Sequence, residues 1–330
     1  MLRAIQRRFL TVGLFSLWCG AHALAEDGQQ LLQILRDADR EFFGAVSLSM
    51  TITQPVGVTR DLGVGMWEGT LVASGERQGL ILRGVHFDPP AYKPLGSGNY
   101  QEIDYDPEGN LILWRRQDAF ALKTEDSNNA YEKWTCVHLA PNGVIVDQSN
   151  SSKLARLAVS DQKGLAVGKY RRIVRATGRG FAQYLTTISR VESLPSGLIV
   201  LEGTGQPWGR LKLTVDPEAK YLVRSAEFLG NKDEPSEVVS TTGTLTEDGL
   251  TIPLKGTVTL LDRGGAHQYR TIVEFDSASR TDCAEMIQHI KAQLSEDSLP
   301  VGTYIEDYRA DPTSGRPVRP RVGENNGETK

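Results

Sequence analysis

Residues 31–54, LLQILRDADREFFGAVSLSMTITQ, decide the fold. In the first half, Leu31, Leu32, Leu35, Ala38 and Phe42 recur at helical spacing, and Arg36, Asp37, Arg40 and Glu41 fall off that stripe. This predicts a helix with one face turned to a core, stopped at Gly44. In the second half the period changes to two. Val46, Leu48, Met50 and Ile52 alternate with Ser47, Ser49, Thr51 and Thr53, the pattern of a strand with one buried and one wet face.

Beyond this stretch the chain reads as strands and turns. Strands are predicted over 80–87, 100–105, 110–115, 119–123 and 131–139, then over 188–192, 198–202, 210–215, 221–228, 238–242, 256–261 and 268–275. Turn chemistry separates them at residues 104–110, 195–197, 216–218 and 263–265, each with Pro or Gly where a turn needs it. Leu211, Leu213 and Val215 alternate with Arg210, Lys212 and Thr214, so part of the sheet has a wet back. Two further helices are expected. One covers 170–185, with Gly178 and Gly180 as breakers, and the other covers 282–294, with Cys283, Ile287, Ile290 and Leu294 in one stripe and Thr281 or Asp282 as the cap. Close-spaced antiparallel strands exclude a βαβ architecture. The economical fold is mainly β, a strongly curved antiparallel sheet in the form of a half-barrel plugged by short helices; a two-sheet sandwich is the alternative.

The first 25 residues stand apart. Arg3, Arg7 and Arg8 precede an apolar run from Phe9 to Trp18, and Ala23-Leu24-Ala25 supplies a small-x-small cleavage site before Glu26. This is the layout of a secretory signal peptide, and its apolar run is too short for a membrane span. The expected organisation is a signal peptide over 1–25, one curved-sheet domain over 26–310 and a disordered tail over 311–330, where Pro, Gly and charge occur without periodicity. The expected location is periplasmic or secreted. No later stretch is long and apolar enough to span a membrane. Three of the 37 basic residues and none of the 41 acidic ones lie in the leader, so the remainder carries −7. That balance argues against a general nucleic-acid binder, whose affinity rests on Lys and Arg neutralising phosphates. Two cysteines remain after cleavage, Cys136 and Cys283, and in an exported protein they are candidates for a disulfide; two buried thiols are the alternative.

An N-terminal helix running into an amphipathic strand, followed by a long meander with short helices, resembles the periplasmic half-barrels of the LolA/LolB/RseB-like superfamily. The stretches that carry the likeness are 31–54, GRGFAQYL at 178–185, and LTVDPEAKYLVR at 213–224. The resemblance implies a concave apolar cavity able to take acyl chains or an apolar peptide.

Enzyme signatures do not emerge. No Gly-x-Ser-x-Gly is present, no pair of His or Cys has zinc-ligand spacing, and the glycines from Gly203 to Gly209 precede a strand where a dinucleotide loop needs a helix. The Asp104–Gly109 run has Arg115 where a calcium loop needs its bidentate Glu. No cofactor or metal is therefore expected. Candidate ligand-facing residues are Val46, Leu48, Met50 and Ile52 on the first strand, with Trp134 and Tyr184. Arg171, Arg172, Arg175 and Arg179 form the densest basic cluster, a candidate site for anionic headgroups or an acidic partner; a solvated helix face is the other reading. Two function classes stay open. One is an exported envelope protein that binds a lipid, a lipoprotein acyl chain or another apolar ligand. The other is a structural or partner-sensing envelope protein whose cavity is filled.

Overall fold

The computed structural model describes residues 28–56, 63–75, 77–88, 118–124, 133–140, 143–150, 165–205, 209–230, 234–261, 268–295 and 305–307. The expected signal peptide, the tail over 311–330, and the predicted strands at 100–105 and 110–115 lie outside these residues.

Helix α1 (28–44) leads directly into β1 (Ala45–Val56), with Gly44 as the last helical residue. Strands β2 (Gly63–Ser74), β3 (Arg77–Asp88), β4 (Asp118–Thr124), β5 (Lys133–Ala140) and β6 (Gly143–Asn150) follow. Helix α2 (Leu165–Ala176) and a short 3-10 turn (Ala182–Tyr184) separate them from β7 (Leu185–Ser193), β8 (Ile199–Gly205), β9 (Gly209–Asp216), β10 (Leu222–Leu229) and β11 (Pro235–Thr242). The small pair β12 (Leu245–Glu247) and β13 (Leu250–Ile252) precedes β14 (Lys255–Leu261) and β15 (Gln268–Ser279). Helix α3 (Cys283–Gln293) and β16 (Ile305–Asp307) complete the described chain.

Among the described residues, fourteen strands form one sheet in the order β16-β6-β5-β4-β3-β2-β1-β15-β14-β11-β10-β9-β8-β7, which is curved and open and excludes the two-sheet alternative. Its pairs are antiparallel except β16 with β6. The central strands are β1 and β15, so the two ends of the fold meet in the middle of the sheet. There Leu48 lies opposite Leu71 and Ala278, Met50 opposite Gly69 and Phe275, and Ile52 opposite Trp67 and Val273. Val46, Leu48, Met50 and Ile52 are buried in one core with α1 and α2, as their alternation requires. Burial of each such side chain contributes about 2 kcal/mol.

The two stretches at 178–185 and 213–224 touch. The Arg179 guanidinium donates to the Lys220 carbonyl at 2.7 Å, and Val223 N–H donates to the Gly178 carbonyl at 3.1 Å. Between them, the Asp216 carboxylate closes the predicted turn by accepting from the backbone of Glu218 and Ala219.

The structure corrects several expectations. Strand β2 is not apparent in the sequence because Gly63, Gly65 and Gly69 interrupt its alternation. At Gly69 a Cβ would lie 2.9 Å from Ile52 Cδ1 and from Leu82 Cδ2, so the gap in the pattern makes room for larger neighbours. Helix α2 starts earlier than predicted and ends at Ala176, after which Gly178 and Gly180 adopt positive φ and Leu185 begins a strand. Asp282 does not cap α3 through its side chain. Its own backbone is left-handed, with φ of 56°, and it makes no side-chain cap bond.

Helix α3 does not plug the concave side. It packs Cys283, Ile287 and Ile290 on Val72, and these form a second core on the opposite face of the sheet from α1 and α2. This explains why the expected Cys136–Cys283 disulfide is not formed: Cys283 is a free, buried thiol, donating to the Thr281 carbonyl at 3.4 Å. In the β4–β5 ladder Cys136 is paired with Ala121, a residue of the first core, whereas Cys283 belongs to the second.

Candidate functional site

The concave face is built where α2 crosses β14 and β15. The crossing is close because β14 carries Gly256, where a Cβ would stand 2.1 Å from the Ala176 carbonyl oxygen. With the helix held there, its arginines and that of the following turn are drawn into the fold. Arg172, Arg175 and Arg179 are buried and Arg171 is half-buried, so the solvated-face reading of this cluster is wrong. Arg171, Arg172 and Arg175 lie on α2 and Arg179 on the turn that follows it, and residues 172–176 are buried all round the helix, Ile173 and Val174 among them.

Each guanidinium has a different setting. Arg175 forms an ion pair with Glu237 on β11 and lies between aromatic rings, 4.3 Å from the Phe228 centroid and 5.1 Å from that of Tyr184. Arg171 reaches the second Glu237 oxygen at 3.8 Å. Arg172 stacks 4.8 Å over the Tyr269 ring. Arg179 lies 5.3 Å from the Phe42 centroid and ties α1 to the β9–β10 turn. Burial alone would raise the Glu237 carboxyl, but the guanidinium groups of Arg175, Arg171 and Arg172 hold it below the usual carboxylate range. Burial lowers Arg172 and Arg179, with Tyr269 and Glu237 opposing for the first and Asp39 and Glu41 for the second.

Asp39 on α1 behaves in the opposite sense to Glu237. Burial pushes it up to about 6, against the backbone N–H groups of Gly180 and Ala182 and the charge of Arg179. A carboxyl raised in the folded state binds its proton more tightly there than in the unfolded chain. Its contribution to stability is therefore full below about pH 4 and is lost as pH rises to about 6, an effect on the order of 2–3 kcal/mol. Asp39→Asn is expected to remove this slope. Urea melts of parent and variant at pH 4.5 and 7 should show the parent losing more stability than the variant on going to pH 7; parallel behaviour would exclude Asp39 as the source.

Of the ligand-facing residues expected from the sequence, Val46, Leu48, Met50, Ile52 and Tyr184 share the concave core. The Tyr184 ring meets Phe228 edge-on at 6.0 Å. Trp134 lies on β5, at the register position opposite Lys123 and Ser149, and its side chain is outside the described residues. Glu237, Asp39, Tyr269, Thr271 and Gln54 are absent from the expected set. For Glu237 a signal existed: it shares alternation with Val239 and Thr241, which puts a carboxylate in an inward register. Among the described residues no group of three His, Cys, Asp or Glu side chains could hold a metal ion, and no helix is long and apolar enough to cross a membrane.

No family model matches the sequence, and no curated protein matches it. Solved structures do. A candidate outer membrane lipoprotein-sorting protein domain from Vibrio parahaemolyticus aligns with a TM-score of 0.51 at 12% identity, covering 82% of this chain and 99% of that one. A DUF1329 family protein from Desulfovibrio piger gives a TM-score of 0.49 at 12% identity over 78% and 93% of the two chains. A LolA superfamily protein from Nitrosomonas europaea gives 0.40 at 11% identity over 84% and 99%. The fold is the one this chain shares with the Vibrio domain: a curved, open antiparallel sheet with α1 and α2 packed on one face and α3 on the other.

Proposed function

We propose that the protein is an exported carrier that lays an apolar chain, such as the acyl chain of a lipid or lipoprotein, against the concave face of its sheet. One observation carries this reading: Val46, Leu48, Met50 and Ile52 form an unbroken apolar row along the central strand, continued sideways by Leu71, Trp67, Val273 and Phe275. The charge–apolar–small layout of residues 1–25 supports export, and the fold shared with the Vibrio lipoprotein-sorting domain supports a carrier role. A second reading is a partner-sensing envelope protein with a filled interior. Trp67, Phe181 and Phe228, each almost wholly buried on this face, favour it.

Binding of saturated fatty acids of increasing length to the mature protein separates the two. A carrier should bind them with affinity rising by about 0.8 kcal/mol per added methylene, and should release acyl lipid on solvent extraction of material purified from the envelope. No binding and no extracted lipid would leave the filled-interior reading.

A further inference from the structure

We propose that Arg172 and Thr271, with Gln54 beside them, form a buried polar subsite on the concave face that takes the anionic end of an amphiphile, a carboxylate or a phosphate. This rests on the carrier reading above and names the class of ligand.

The first argument is hydrogen bonding. Arg172 is 4% exposed, Gln54 6% and Thr271 0%. Among the described residues, Arg172 Nε and Nη2, Thr271 Oγ1 and Gln54 Oε1 are buried without a hydrogen-bond partner. Native proteins rarely leave such groups unmade, and those that remain need an explanation. The fold places them on neighbouring elements. Arg172 stacks on Tyr269, and Tyr269 and Thr271 are two apart on β15, so they share its concave face. The β1–β15 ladder pairs Thr53 with Ile272, and continuing it by one residue sets Gln54 beside Thr271.

The second argument is charge. Arg171, Arg172 and Arg175 gather round the Glu237 carboxylate, whose two oxygens are engaged by Arg175 and Arg171. Among the described residues, Arg172 meets the Tyr269 ring and hydroxyl and is in ion-pair contact with no carboxylate. A buried cation in that position calls for an anion. The geometry names the kind. Nε and Nη2 make up one edge of the guanidinium plane, two parallel donors spaced for the two oxygens of a carboxylate or phosphate. The Thr271 hydroxyl adds a third donor, and Gln54 Oε1 accepts from a hydroxyl or amide hydrogen next to the anion.

The test is calorimetric titration of the full mature protein with dodecanoate, dodecyl phosphate, dodecanol and inorganic phosphate. The two anionic amphiphiles should bind about tenfold or more tighter than dodecanol, as expected of a charge-assisted bidentate contact. In Arg172→Met the preference for anion over alcohol should collapse to about one. Thr271→Val keeps the shape and removes only an unpaired buried hydroxyl. It should melt at or above the parent temperature while losing severalfold in the same preference, so the proposal stays testable if Arg172→Met does not fold. Binding of inorganic phosphate alone, dependent on Arg172, would assign the subsite to a free anion. Equal binding of dodecanol and dodecanoate by the parent would overturn the subsite, its polar atoms then holding ordered water only, and leave the carrier reading intact. Binding of none of the four overturns both.

Discussion

Glu237→Gln should lower the stability of the protein by about 3–5 kcal/mol, because removing one partner of a buried ion pair leaves the other charge uncompensated. Here the effect falls at the upper end, since Glu237 faces three guanidinium groups: Arg175 in direct contact, Arg171 at 3.8 Å and Arg172 through space. The glutamine keeps the volume and one acceptor but not the charge, so the loss is electrostatic and not a cavity effect. Chemical denaturation of the purified mature protein measures it. The sense of the pH dependence follows from the depressed carboxyl: the contribution of Glu237 is present above the ordinary Glu range and is lost as pH falls through its folded-state value. A double variant, Arg175→Met with Glu237→Leu, should be less destabilised than Glu237→Leu alone, because it removes a charge along with its partner. A Glu237→Gln protein that melts with the parent would mean the arginines are held by something other than this carboxylate.

Gly256→Val should cost about 3 kcal/mol, the upper end of what overpacking does, although valine is the better strand former. The obstacle is backbone: a Cβ there would lie 2.1 Å from the Ala176 oxygen and 2.7 Å from its carbonyl carbon. A carbonyl cannot rotate away as a side chain can, so α2 must lift from β14. The helix carries Arg172 and Arg175, and their contacts with Tyr269 and Glu237 weaken together. Gly44→Ala is the control, because a Cβ at Gly44 meets nothing within 4 Å. Thermal melts should separate the two clearly, with the control within about 0.5 kcal/mol of the parent. A neutral Gly256→Val would mean that α2 does not sit tightly on the sheet.

The contrast between these sites and the first strand shows what the sequence reveals. The helix before Gly44 and the row from Val46 to Ile52 are legible because each obeys a single period and its apolar residues have only one place to go. Strand β9 is legible for the same reason, with Leu211, Leu213 and Val215 inward and Arg210, Lys212 and Thr214 outward. The arginine cluster misleads because composition suggests water as its solvent. Its burial depends on Glu237 and Phe228 from strands more than fifty residues away, and on Gly256 letting the helix approach. The face on which α3 lies is equally non-local. The stripe of Cys283, Ile287 and Ile290 says that the helix packs on something apolar but not on which side of the sheet, and that choice separates Cys283 from the core to which the ladder partner of Cys136 belongs.

The central claim is that an apolar chain lies against the concave face. The most direct test is covalent capture with a fatty acid carrying a diazirine near its methyl end, incubated with the mature protein, irradiated and mapped by peptide mass spectrometry. Labelling is expected on peptides of β1, β2 and β15 at inward positions such as Met50, Trp67 and Phe275, and unlabelled fatty acid should compete it away. Labelling confined to α3 on the opposite face, or none that competes, would contradict the account.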